Sequence, residues 1–214
     1  YAYRDASGWH ASACGAGDVL AVDANGYPHA LTLRLSEDCA ENSWYELDYD
    51  RGEYGGCQHE IVETGHECCS FADLQLAVDE AGTPHMASAR SCQFDYRYGV
   101  RSETGLAFQQ FAENTGRLSL LRLDAEQQPH IYFFLPYGYG PFTHLVHAYR
   151  VSTGWQYRTW PLPGPIGEPS LAINVDGQPV ISYYDAVNGD LKLAAFFPEI
   201  PPKQASSSHT GAPP

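Results

Sequence analysis

The chain has 214 residues, 43% hydrophobic, 13% aromatic and only 18% charged, a composition that can bury a large core and excludes disorder over most of the length. Twelve Lys and Arg stand against 26 Asp and Glu, a net charge of −14 with no basic run, which excludes nucleic acid and anionic membrane surfaces as expected partners. No stretch approaches the ~18 uninterrupted apolar residues of a membrane helix, and no basic-then-apolar leader stands at Tyr1.

Taken in chain order, "AYRDASGW" at 2 to 9 predicts a strand, a turn and the start of a second strand. "VLAVDANGYPHALTL" at 19 to 33 predicts two alternating strands joined by a tight turn, and the same arrangement returns in "LQLAVDEAGTPHMASA" at 74 to 89, "LLRLDAEQQPHIYFF" at 120 to 134 and "LAINVDGQPVISYY" at 171 to 184. Each turn carries Asp or Asn five residues before a proline: Asp23 and Pro28, Asp79 and Pro84, Asp124 and Pro129, Asn174 and Pro179. A repeat of about fifty residues with no sustained helical period fits a four-stranded propeller blade. "AYRVSTGW" at 148 to 155 repeats the opening motif and marks the outer half of a blade, so the chain opens partway through one.

The expected architecture is therefore all-β, a β-propeller of about four blades over 1–197, with units near 1–16 (partial), 17–63, 72–112, 117–160 and 169–197 (partial), followed by a Pro/Ser-rich tail at 198–214. The last unit has three strands, and Trp9 to Cys14 is the expected donor of its fourth, a closure that would remove exposed strand edges. The alternative is that residue 1 cuts through a longer propeller. Trp9 and Trp155 are repeat-equivalent and are both expected to wedge between blades.

Cys14, Cys39, Cys57, Cys68, Cys69 and Cys92 form an even set without zinc spacing, which points to disulfides and an oxidising, secreted or cell-surface location. The repeat predicts Cys14 with Cys39 and Cys69 with Cys92, leaving Cys57 to Cys68; exchanging Cys68 for Cys69 fits nearly as well. The competing reading is free thiols or a vicinal redox pair.

The repeated "[DN]xxGxPH" turns, the "SYYDAVNGDLKLAAF" hairpin and the "AYRxxxGW" ends resemble secreted bacterial β-propeller repeat proteins of the broad sialidase-like or BNR-like type. That resemblance covers Tyr1 to Phe197. The Ser-x-Asp-x-Gly-x-x-Trp box is absent, no arginine triad can be placed by motif, and propellers host hydrolases, lectins, lyases and scaffolds alike.

Asp18, Asp73 and Glu168 stand where the chain enters a blade, at one mouth of the expected channel, where a glycosidase would need two carboxylates about 5 to 9 Å apart. The bland reading gives Asp18 and Asp73 loop amides to hold. His29, His85 and His130 follow the turn prolines and are expected to be structural, since blade symmetry spreads them on a circle too wide for one metal. Asp185, Asn188 and Asp190 could offer oxygens to calcium, or simply form a hairpin turn, and no other cofactor is expected. "FFLPYGYGPFTHLVHAY" at 133 to 149 lengthens a loop and offers Tyr137, Tyr139, Phe142 and His144, with Trp44 as a further member of an aromatic face suited to sugar rings.

The leading expectation is an extracellular binding or scaffolding propeller, its partner a carbohydrate or an extracellular protein. The alternatives are a glycoside hydrolase using the channel-mouth carboxylates, and a surface-assembly protein without a small ligand.

Overall fold

The computed structural model describes residues 2–11, 14, 17–36, 44–53, 56–65, 71–90, 95–102, 105–113, 116–136, 142–174, 177–185 and 187–195. Every regular element among them is a strand. A hairpin, β1 (Ala2–Asp5) and β2 (Gly8–Ala11), precedes the first blade, made of β3 (Val19–Val22), β4 (Pro28–Leu35), β5 (Tyr45–Glu53) and β6 (Gly56–Gly65). The second blade holds β7 (Phe71–Val78), β8 (Pro84–Arg90), β9 (Asp95–Ser102) and β10 (Gly105–Glu113). The third holds β11 (Arg117–Leu123), β12 (Pro129–Pro136), β13 (Phe142–Val151) and the first half of β14 (Gly154–Ile173). This 20-residue strand then turns from outer strand of the third blade into inner strand of the fourth, where it pairs with β15 (Pro179–Asp185), itself paired with β16 (Asp190–Ala195). All pairings are antiparallel, and the inner strands β3, β7, β11 and β14 follow one another in contact, as in a β-propeller of about four blades.

The repeated turn explains why these strands form where they do. Asp23 Oδ1 accepts the amides of Asn25 and Tyr27 at 2.9 Å each, which fixes the reversal, and Gly26 supplies the positive φ of 84° it requires. Asp79 holds the Thr83 amide at 2.7 Å, Asp124 the Gln128 amide at 2.7 Å and Asn174 the Gln178 amide at 2.9 Å. In the third turn Gln127, not glycine, takes the positive φ, at 60°. Proline then opens the second strand, where its missing N–H costs no ladder bond.

Alternation sends one side of each blade to each neighbour, so the core lies between blades. Leu31, Leu47 and Tyr49 of the first blade pack on Leu74 and Met86 of the second. Ala87, Tyr96, Tyr98 and Phe111 of the second meet Ile131, Phe133 and Val146 of the third, and Tyr132, Phe134 and Leu145 of the third meet Ile181 and Tyr183 of the fourth.

Three expectations need correction. The N-terminal strands do not complete the fourth blade: β2 pairs with β1, and among the described residues β16 pairs only with β15. Trp155 does wedge between blades, 4.9 Å from Phe111 and edge-on to Tyr98 at 5.4 Å, but Trp9 is 74% exposed because its hairpin stands outside the blades. Cys14 is bonded to Cys57, not Cys39, with Cα atoms 5.4 Å apart. Blade symmetry would treat Cys14 like the other residues leading into an inner strand. The chain instead comes to β3 from a hairpin of its own, which brings Cys14 to the outer strand β6. Cys39, Cys68, Cys69 and Cys92 lie outside the described residues, as does the tail.

Candidate functional site

Strand alternation puts the starts of β3, β7, β11 and the fourth-blade half of β14 on one face, together with the loops between second and third strands. This upper face gathers most of the residues singled out from the sequence. Asp18 immediately precedes β3, and its Oδ2 accepts the Leu33 amide at 2.7 Å while its own amide donates to the Leu31 carbonyl at 2.8 Å. Its carboxylate thus ties the start of the inner strand to β4. Asp73, near the start of β7, lies 4.0 Å from Nε of Arg117 at the start of β11, and this pair bridges the second and third blades at the channel mouth. Glu168 lies in β14 on the same face, and its side chain is outside the described residues.

Of the aromatic set, Phe142 opens β13 and packs on Phe134 with ring centroids 5.7 Å apart. His144 is exposed, its Nδ1 2.9 Å from the Thr143 hydroxyl, and Trp44 is 43% exposed. Tyr137 and Tyr139 lie outside the described residues. Asp185, Asn188 and Asp190 form the hairpin between β15 and β16. Asp185 Oδ1 accepts the Val187 and Asn188 amides at 3.0 and 3.2 Å, and Oδ2 accepts the Asn188 side-chain amide at 2.8 Å and the Lys192 ammonium. The Lys192 bond, with the turn bonds behind it, holds the Asp185 carboxyl well below the usual range. Its oxygens are therefore already engaged, and among the described residues no three His, Cys, Asp or Glu side chains are grouped as a metal site.

The repeated histidines occupy the opposite, lower face, inside relays that tie each turn to its blade. His29 Nε2 faces Asp23 Oδ2 at 3.6 Å and its Nδ1 is hydrogen-bonded to the Tyr49 hydroxyl at 2.6 Å; His85 repeats this with Asp79 at 3.6 Å and Tyr98 at 2.6 Å. In the third blade His130 meets Asp124 at 3.1 Å and His147 at 2.8 Å. Burial holds His29 and His85 below the ordinary histidine value, against the pull of their aspartates, and burial with the charge of His130 pushes His147 down to about 3. Burial alone would raise Asp23 and Asp79. Turn amides and the histidines outweigh it and lower both.

Sequence reasoning missed the partners. Arg117 stands in the third blade near where Asp73 stands in the second, and lining up the inner strands by their turns would have found it. Arg97, 7% exposed, clamps Glu63 across the first two blades at 2.9 and 3.0 Å and stacks 4.6 Å above Phe108. Clefts on the lower face include two of similar size. One of about 430 Å³ runs between the inner strands past Val78, Glu80, Leu123 and Gln127, and one of about 410 Å³ lies at the outer strands of the first blade, beside Tyr49, Arg51 and Arg101.

No protein-family model matches the sequence, and no curated protein matches it. Solved structures that share the fold include two glycoside hydrolases. The GH43 β-1,3-galactosidase BT0265 superposes with a TM-score of 0.52 at 9% identity, over 91% of this chain and 48% of that one. The GH43 β-1,3-galactosidase BT3683, solved with galactodeoxynojirimycin, gives 0.50 at 10% identity, over 92% of this chain and 76% of that one. The chain spans about half the length of the first. At such identity the likeness is one of fold, and it extends to the propeller architecture rather than to a sialidase-like type.

Proposed function

We propose that this chain is an extracellular carbohydrate-binding propeller that takes its ligand on the upper face, where Asp73 and Arg117 face each other. The observation that carries the reading is the commitment of the two described channel-mouth carboxylates, Asp18 to the Leu33 amide and Asp73 to Arg117. An aspartate and an arginine facing each other offer acceptors and donors to sugar hydroxyls. Phe142, Tyr137, Tyr139 and Trp44 supply flat apolar faces for pyranose rings, and His144 a polar edge. The disulfide between Cys14 and Cys57 suits an oxidising compartment.

A second reading, glycoside hydrolysis, is favoured by the fold shared with the two β-1,3-galactosidases. Here Asp73 and Glu168 would be the acid and base pair. One experiment separates the two. The protein is incubated with a glycan panel that includes β-1,3-linked galactose oligosaccharides, and retained ligand and released fragments are both read by mass spectrometry. Binding without cleavage, lost in Tyr137→Ala and Phe142→Ala, is the expected result. Cleavage abolished by Asp73→Asn would replace the binding reading with the enzyme. Silence on both would remove carbohydrate as the ligand.

A further inference from the structure

The lower cleft at the outer strands of the first blade holds an arginine that, among the described residues, has no ion-pair partner. Arg51, near the end of β5, lines it with Gln58, His59 and Glu60 of β6, Arg101 of β9 and the Tyr49 ring. Arg101 is paired with Glu60 at 2.7 Å, and His59 Nδ1 is 2.8 Å from Asp50. Among the described residues the Arg51 guanidinium has neither a hydrogen bond nor an ion pair, and its Nε is buried from solvent. The nearby Asp23 does not pair with it: Oδ1 holds the turn amides, and Oδ2 lies 3.6 Å from His29 Nε2 without a hydrogen bond. A buried guanidinium nitrogen without an acceptor is costly. In a chain with net charge −14, carboxylates are abundant, and among the described residues this arginine is ion-paired with none.

We infer that this cleft is a second ligand site, and that Arg51 binds the carboxylate of a hydroxylated monoanion of the uronic-acid class. The planar fork of arginine matches a carboxylate with two parallel bonds. The rest of the lining narrows the choice. Gln58 both donates and accepts, Glu60 accepts, and a lining with Arg51 free and Arg101 already neutralised by Glu60 carries about one net positive charge. That charge suits a single carboxylate flanked by hydroxyls, and the Glu60 carboxylate disfavours a dianion such as phosphate. A volume of about 410 Å³ is of the size that takes one sugar ring. The site is on the face opposite the channel mouth and does not depend on what binds there.

The test is a titration of the full chain with sodium glucuronate, followed by isothermal calorimetry and amide shifts, with glucose and inorganic phosphate as comparison probes. Saturable glucuronate binding is expected, absent for glucose and weaker for phosphate. Arg51→Gln should weaken it about 10- to 100-fold and Arg51→Lys by less, since the charge remains but the fork is lost. Glu60→Gln should strengthen it, since Arg101 is then left without its carboxylate partner in the cleft. Should Arg51→Gln fail to fold, the Arg51→Lys and Glu60→Gln responses decide the matter. Equal binding of phosphate and glucuronate, binding indifferent to Arg51→Lys and Glu60→Gln, or no saturable binding would each overturn the inference.

Discussion

Asp23, Asp79 and Asp124 each commit one carboxylate oxygen to the amides of their own turn and aim the other at a histidine that opens the next strand. That histidine reaches on to a tyrosine or, in the third blade, to His147. The relays make the fold sensitive to acid, and the sign follows from the directions of the shifts. His147 is held down to about 3, stacked on Tyr132 at 4.3 Å, while an unfolded histidine titrates near 6.5. The unfolded chain therefore takes up a proton that the folded chain refuses, so stability is full above pH 6.5 and declines as pH falls toward 3. The lowered aspartates add a second loss below 3.8, the ordinary aspartate value, where again only the unfolded chain gains the proton. Urea midpoints measured from pH 7.5 to 4 should fall steadily, and His147→Phe should flatten that slope. A slope unchanged by the substitution would remove His147 as its source.

At the scale of strands and blades, stability rests on close approaches between neighbours. Gly116, just before β11, lies so near β12 that an added Cβ would sit 1.6 Å from the Phe134 carbonyl oxygen and 2.6 Å from the Tyr96 hydroxyl. Gly116→Ala should lower stability by about 2 kcal/mol or more, while Gly56→Ala, with nothing within 4 Å, should leave the melting temperature near that of the parent. The Arg97–Glu63 clamp joins the first two blades, with the Tyr45 hydroxyl also donating to Glu63 at 2.8 Å. Glu63→Ala removes the carboxylate that pairs with a buried guanidinium and should cost about 3 to 5 kcal/mol in a denaturant titration. The turn residues and their prolines were legible from sequence because each turn is local, closing within five residues. The clamp was not, since Arg97 and Glu63 are 34 residues apart on different blades and only the packed fold selects that pair among many acids. The tyrosine ends of the relays were hidden similarly: Tyr49 follows its histidine by 20 residues and Tyr98 by 13, because the intervening loops differ in length.

For the molecule as a whole, the repeat period set the number of blades but not how the ends are arranged, which depends on where the hairpin β1–β2 finds its contacts. Among the described residues β16 is an edge strand, with Leu191 77% and Leu193 75% exposed, the kind of surface that can template self-association. Leu193→Lys should reduce concentration-dependent light scattering without lowering the melting temperature. Equal scattering in the variant would place association elsewhere. The same distance between architecture and detail holds for the upper face. Its position was legible from the strand starts, whereas the pairing of Asp73 with Arg117 emerged only from the packing of β7 beside β11.

Whether this face binds carbohydrate is decided by amide shift mapping of the protein with a β-1,3-linked galactose disaccharide. Saturable perturbations are expected around Asp73, Arg117, Phe142 and His144, with the lower-face relays unmoved. Perturbations confined to the lower face, or none at saturating disaccharide, would contradict it.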